Sequence, residues 1–224
     1  MGTRKSRRDV IVTFPSGSVE KVIFDPSKPL QHQVNGWCTL RGHVLADDED
    51  QWLLVAAGKG VSEESGCVVV GDVAALSCLP PRTLCKVCKG KEVAERQLER
   101  LEEEAEINAG GSQQGLKSSL GDLLRSLRAS TWFAEEVIDQ EGVQALFEVF
   151  DHLREICEHE NHHGVFEIVE LVAACLGELL QYENCVLLLE EGVEDLITPE
   201  TFELLLRALF LWQIGDSGNV AERR

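Results

Sequence analysis

Two cysteines three residues apart, Cys85 and Cys88 in Cys-Lys-Val-Cys, have the spacing of half a zinc site, and His-Glu-Asn-His-His offers His159, His162 and His163. Zinc asks for four thiolate or imidazole ligands in a tetrahedron. The chain has no second Cys-x-x-Cys, and the two groups fall in segments that read as different domains. A strand through Cys85 and Cys88 would also turn the two thiols to opposite faces. A redox dithiol is no better placed, because the motif does not open a helix after a strand. A zinc-binding or redox protein using Cys85 and Cys88, with His159 and His162 as weak further ligands, is therefore the competing reading. The leading expectation is no metal and no cofactor, with the histidines in a solvated loop between helices.

Other chemistry is thinner still. Gly58-Lys59-Gly60 lacks the spaced glycines and the Lys-Ser/Thr pair that cradle a phosphate. No Gly-x-Ser-x-Gly elbow occurs, and the run Asp47-Asp48-Glu49-Asp50 reads as a solvated turn. Nothing brings together a nucleophile, a base and a group to orient it, so the expectation is a protein that binds and does not catalyse.

Residues with so little chemistry still need elements to hold them. With 224 residues, 44% of them hydrophobic and only 6 prolines, the chain can bury a core in one large domain or two small ones. No window approaches a membrane span, and the basic start Met-Gly-Thr-Arg-Lys-Ser has no apolar region behind it, so no secretory signal is expected. That start fits a loose myristoylation pattern on Gly2. The eight cysteines sit mostly in apolar runs and read as reduced thiols of a cytoplasmic protein.

The net charge of −18 is divided unevenly: residues 1–90 carry 11 Lys/Arg against 10 Asp/Glu, and the rest 10 against 29. An acidic half of that size repels nucleic acid, and Arg4, Lys5, Arg7 and Arg8 are too few to outweigh it.

From Asp9 to about Val87 the pattern is strand-like. DVIVTF and VEKVIF flank Pro15-Ser16-Gly17-Ser18, which reads as a hairpin. PLQHQVNGW reads as a short helix with Pro29 in its first turn. QWLLVA, CVVVGD and TLCKVC then read as further strands. Two strands, a helix and several short strands in about eighty residues is the order of a ubiquitin-like β-grasp, an α+β fold.

At Lys91 the character changes to a helical run, KEVAERQLERLEEEAEI, followed by the linker NAGGSQQG at 108–115. Everything after it reads as helix. Val143, Leu146, Phe147 and Phe150 share one helical face, whereas VELVAACLGELL is apolar nearly all round and needs neighbours on several sides. Two blocks recur in the same order: LGDLL at 120–124 before EGV at 141–143, and LGELL at 176–180 before EGV at 191–193. A degenerate period near fifty built of helices points to an α-solenoid. The glycine of each EGV would supply a left-handed residue between two helices, and the acids around it read as a solvated shoulder.

IDQEGVQALFEVF resembles the armadillo-type segment of ELMO proteins, and the strand-turn-strand followed by DPSKPLQHQVNGW resembles their ubiquitin-like Ras-binding segment. FHOD- and diaphanous-type formins have a related order, a GTPase-binding region ahead of armadillo-like helices. The resemblance covers most of the chain and rests on the order of elements and short blocks. It implies a flexible basic N-terminus (1–8), a ubiquitin-like domain (9–90), a connecting helix and linker (91–115), an all-α armadillo-like helical repeat domain (116–215) and a flexible tail (216–224). It further implies a cytoplasmic adaptor, recruited to membrane or cytoskeleton by its partners, that binds an activated small GTPase of the Ras, Rho or Arf type. Arg8, Lys21 and Lys28, on and around the second strand, are the candidate contacts, and the helical domain would take a protein partner or an autoinhibitory segment. A formin-type autoinhibitory module is the alternative within the binding class.

Overall fold

The hairpin forms at the expected residues. A computed structural model describes residues 8–45, 47, 50–57, 67–79, 83–108, 113–159 and 163–182, without the side chains of Arg8, Ala57, Cys67, Ile107, Asn108, Gln113, 154–159 and 163–166. In it β1 (Arg8–Thr13) and β2 (Val19–Phe24) pair antiparallel with Val10 opposite Val22. The Phe14 N–H donates to Ser18 O at 2.9 Å and the Gly17 N–H to Phe14 O at 2.8 Å. Gly17 takes φ 81°, a left-handed conformation that a side chain would strain.

Helix α1 (Leu30–Leu40) follows, with Leu30, Val34 and Cys38 buried at four-residue spacing. Pro29 occupies the N-cap position, not the first turn, with an extended ψ of 136°. The helix also runs past Gly36-Trp37 and stops where Gly42, at φ 73°, donates back to Thr39 O at 3.0 Å. The Gln33 side chain fixes its approach by accepting from Asp25 N at 2.7 Å and donating to Asp25 O at 2.9 Å.

Strands β3 (Trp52–Ala57), β4 (Cys67–Val69) and β5 (Leu84–Lys89) complete a five-stranded mixed sheet in the order β2-β1-β5-β3-β4. β1 and β5 run parallel, with Ile11 opposite Leu84, and every other pairing is antiparallel. Between β4 and β5 lies α2 (Val73–Cys78), a helix too short to show a period in the sequence. Asp72 caps it by accepting from Ala75 N at 2.6 Å. The core face of the sheet carries Val12, Phe14, Val22, Leu54 and Val87 against Val34, Cys38 and Leu76 of α1 and α2.

Among the described residues four more helices follow α3 (Gly90–Asn108): α4 (Gln113–Ala129), α5 (Thr131–Asp139), α6 (Gly142–His159) and α7 (His163–Leu179). The described architecture is thus an N-terminal mixed sheet with helices, then helices alone, an α+β layout. α4 begins inside the stretch read as linker.

By contacts the chain divides into two compact units, residues 1–97 with 125–136, and residues 98–124 with 137–224. In the first unit the second face of β3, β4 and β5 is also buried, at Leu53, Val55, Val69 and Cys88. Residues 125–136 lie against this part of the unit. Val69 N donates to Ser126 Oγ at 3.2 Å, a Cβ on Gly71 would fall on the Ala129 carbonyl, and one on Gly90 would fall on the Trp132 ring.

In the second unit Val143, Leu146, Phe147 and Phe150 of α6 are all buried, as their spacing predicts, and α6 packs on α7. From 167 to 179 only Glu167, Glu170 and Gly177 of α7 are exposed. The Cys175 thiol donates to Leu120 O of α4 at 3.7 Å.

The corner between α5 and α6 corrects one expectation. The left-handed residue is Glu141, at φ 60°, and Gly142 is the first residue of α6. Glycine is needed there for room: a Cβ would lie 2.5 Å from Val137 Cγ1 and 2.6 Å from Val137 O. The second copy of the corner, EGV at 191–193, lies outside the described residues, as do the remainder of the expected helical domain to 215, the tail 216–224 and residues 1–7.

Candidate functional site

β2 is one edge of the sheet, and among the described residues no strand pairs with its outer side. The bond from Phe14 N to Ser18 O sets the alternation of the hairpin ladder. Glu20, Val22 and Phe24 then turn their main-chain groups toward β1, leaving the N–H and C=O of Val19, Lys21 and Ile23 facing outward. These same three residues carry exposed side chains, and Val22 and Phe24 are buried. Main chain and side chain are therefore offered together, by the same residues, along one edge.

The open sheet face beside this edge is apolar with a basic component. Val19, Ile23 and Leu84 are each more than half exposed, and Lys86 is exposed next to Leu84. The register places Ile11 between Lys21 and Leu84, and Thr13 between Val19 and Lys86. Such a cluster of exposed aliphatic side chains on a strand is the mark of an interaction surface when it is contiguous.

Of the candidate contacts, Lys21 lies at the middle of the edge and ion-pairs with Asp9, its diagonal neighbour on β1. A partner carboxylate must compete with Asp9 for it. Lys28 is exposed in the turn after β2, where its N–H donates to Asp25 O at 3.1 Å and its carbonyl accepts from Gln33 Nε2 at 3.0 Å. Arg8 opens β1 opposite Phe24, at the same end of the hairpin as Lys28; its side chain is not among those described.

Sequence reasoning missed the anchor beneath this edge. Arg41 clamps Glu20 of β2 with two bonds, Nε to Oε1 at 3.1 Å and Nη2 to Oε2 at 2.5 Å, and gives Nη1 to Trp37 O at 2.8 Å. Its guanidinium lies 4.0 Å from the Phe14 ring centroid. The bonds from Arg41 hold the Glu20 carboxyl below the usual carboxylate range, against a smaller opposing effect of burial. The exposed aliphatic residues had a legible signal, since Val19 and Ile23 alternate with the buried Val22 and Phe24. Nothing in local spacing joins residue 20 to residue 41.

The cysteine pair has the geometry of packing. Cys85 faces the core on β5 and Cys88 the other face, both buried. Burial pushes the Cys85 thiol up to about 11, away from the thiolate that metal binding needs. Among the described residues no group of three His, Cys, Asp or Glu is placed to hold a metal ion. His162 and the side chain of His159 lie outside the described residues. No described helix is long and apolar enough to cross a membrane.

No protein-family model matches the chain, and no curated protein matches it.

Proposed function

We propose that the first unit is a ubiquitin-like module that captures an activated small GTPase of the Ras, Rho or Arf type by adding the partner's edge strand to β2. The chain is then a non-enzymatic adaptor. The observation that carries this reading is the coincidence on Val19, Lys21 and Ile23 of outward main-chain groups and exposed side chains. Strand addition draws its strength from main-chain hydrogen bonds and its selectivity from alternate side chains. Lys21 supplies a cation for an acidic partner strand, and Val19 and Ile23 supply apolar area on either side of it. The parallel β1–β5 pair flanked by antiparallel strands, with α1 following the hairpin, supports the ubiquitin-like assignment.

The other edge favours the same choice. β4 has three residues, and Ser126 already takes the Val69 N–H, so β2 is the longer and freer template. In the second unit, the helix corner at Glu141–Gly142 and the stacking of α6 on α7 support an armadillo-like reading, which would offer a surface for a protein partner or an inhibitory segment.

Capture from a panel of Ras, Rho and Arf GTPases, each loaded with GTP analogue or GDP, tests the proposal. One GTPase is expected to bind in the GTP form, with affinity falling about tenfold in Ile23→Pro, which removes an outward N–H without touching the β1 ladder. Lys21→Glu should weaken it severalfold. Capture of none, or equal capture in both nucleotide states, would sink the idea.

A further inference from the structure

The β2 edge is short and bounded at both ends. Its outward main-chain groups belong to Val19, Lys21 and Ile23. On the turn side the next residue in the alternation is Gly17, whose N–H is already donated to Phe14 O at 2.8 Å. On the other side it is Asp25, whose N–H goes to Gln33 Oε1 at 2.7 Å and whose carbonyl accepts from Gln33 Nε2 at 2.9 Å and Lys28 N at 3.1 Å. A strand added to β2 therefore exchanges hydrogen bonds with these three residues and not with their neighbours.

A second copy of the chain would present the same edge. Two copies of β2, antiparallel about a twofold axis, use every outward residue in one register alone: Val19 opposite Ile23 of the second copy, Lys21 opposite Lys21, and Ile23 opposite Val19. Sliding the copies to the next register in phase brings in Gly17 or Asp25, whose N–H groups are taken.

In the full register the outer pairs suit each other. Val19 and Ile23 are 61% and 57% exposed aliphatic side chains, and opposed residues of paired strands share one face, so each pair would cover both. The central pair does not, because two lysines meet across the seam and like charges directly opposite destabilise a strand pair. The ion pair with Asp9 softens this repulsion without removing it, since Asp9 lies on β1, on the side of Lys21 away from the seam.

We propose that Lys21 is the specificity-determining residue of this edge. It holds β2 open against a second copy of the chain, and it admits a foreign strand that sets an aspartate or glutamate opposite it with an aliphatic residue two places to each side. A lysine within an exposed edge strand is a general obstacle to edge-to-edge pairing, and here the same charge selects the partner. The inference rests on the reading of β2 as a strand-recruiting edge and is independent of which protein supplies the strand.

Lys21→Glu turns β2 itself into the strand just described, with an acid between Val19 and Ile23, so the chain supplies its own probe. The test is sedimentation equilibrium of the full-length parent, of Lys21→Glu and of their equimolar mixture, with association counted as the part that Ile23→Pro removes. The mixture should form a one-to-one dimer about tenfold tighter than either protein forms alone. Lys21→Val, which removes the charge and keeps a strand-forming side chain, should pair with itself about tenfold more tightly than the parent does. Both substitutions make a chain of net charge −18 more negative, so general repulsion between copies cannot produce these gains. A mixture no more associated than its components, a Lys21→Val chain no more associated than the parent, or a parent that already dimerises through β2 would each overturn the proposal. The measurement needs no nucleotide and is read apart from GTPase capture: a failed capture panel beside a pairing mixture sinks the GTPase reading and leaves the role of Lys21 standing.

Discussion

Gly142 opens α6 against Val137: a Cβ on the glycine would stand 2.5 Å from Val137 Cγ1 and 2.6 Å from its carbonyl oxygen. The preceding residue, Glu141, carries the left-handed turn at φ 60° and accepts the first helical bond of α6 from Ala145 N at 3.1 Å. The two neighbours therefore predict opposite outcomes. Gly142→Ala forces apart a packed corner and should cost about 2 kcal/mol or more. Glu141→Gly removes a left-handed penalty of roughly 1–2 kcal/mol and adds some chain entropy to the unfolded state, so it should stabilise by about 0.5–1 kcal/mol. Chemical denaturation of both variants is the measurement, and a stabilising Gly142→Ala would refute this account of the corner.

The same corner shows what was legible in the sequence. Periodicity revealed the helix faces, because Val143, Leu146 and Phe150 repeat with the helix itself, and it revealed the hairpin, because Pro15 to Ser18 punctuates two β-rich runs. It could not say which residue of Glu-Gly turns the chain, since that depends on the room left by Val137. The short helix α2 was hidden because VAALSC is too brief to show a period. The β2 edge was visible as a strand with a lysine in it. That its main chain faces outward follows only from the order of five strands, a non-local fact. The Glu20–Arg41 clamp was out of reach for the same reason.

Glu20 should give the first unit a measurable acid sensitivity. Its hydrogen bonds from Arg41 lower its folded value below the ordinary 4.5, and burial only partly opposes them. A depressed carboxylate contributes stability that is complete above the unfolded value and is lost as pH falls through the folded one. Glu20→Gln should therefore be less stable than the parent at pH 7, and the gap should close as pH drops below about 4.5. Urea midpoints of the two proteins between pH 7 and pH 3 give the answer; a gap that stays constant with pH would show that the clamp carries no such linkage.

Cysteine reactivity should separate the described thiols sharply. Burial raises Cys38 and Cys85 to about 11, in Cys38 against a smaller lowering effect of Arg41, while Cys78 is exposed. Only thiolate reacts quickly with alkylating agents. At pH 8 a maleimide or iodoacetamide pulse read by peptide mass spectrometry should label Cys78 early, and Cys38 and Cys85 only once the protein is unfolded. Early labelling of Cys85 in the folded chain would reopen the reading of Cys85 and Cys88 as a reactive pair.

Ser126 tests the contrast between the two sheet edges. Its Oγ accepts the Val69 N–H of β4 at 3.2 Å and lies 2.9 Å from Gln97 Nε2, and the serine is fully buried. Ser126→Ala leaves a buried strand N–H without this acceptor, which should cost about 1–3 kcal/mol. On β2 the outward N–H groups of Lys21 and Ile23 face no described strand, so Ile23→Pro removes a donor that nothing in the described fold uses and should cost little beyond its side chain. If β2 is the working edge, the proline variant keeps its stability and loses the partner, and the alanine variant does the reverse. Thermal melts and GTPase capture on the two variants, run side by side, distinguish the outcomes: equal destabilisation of both would mean that β2 is already covered and is not the surface that recruits a partner strand.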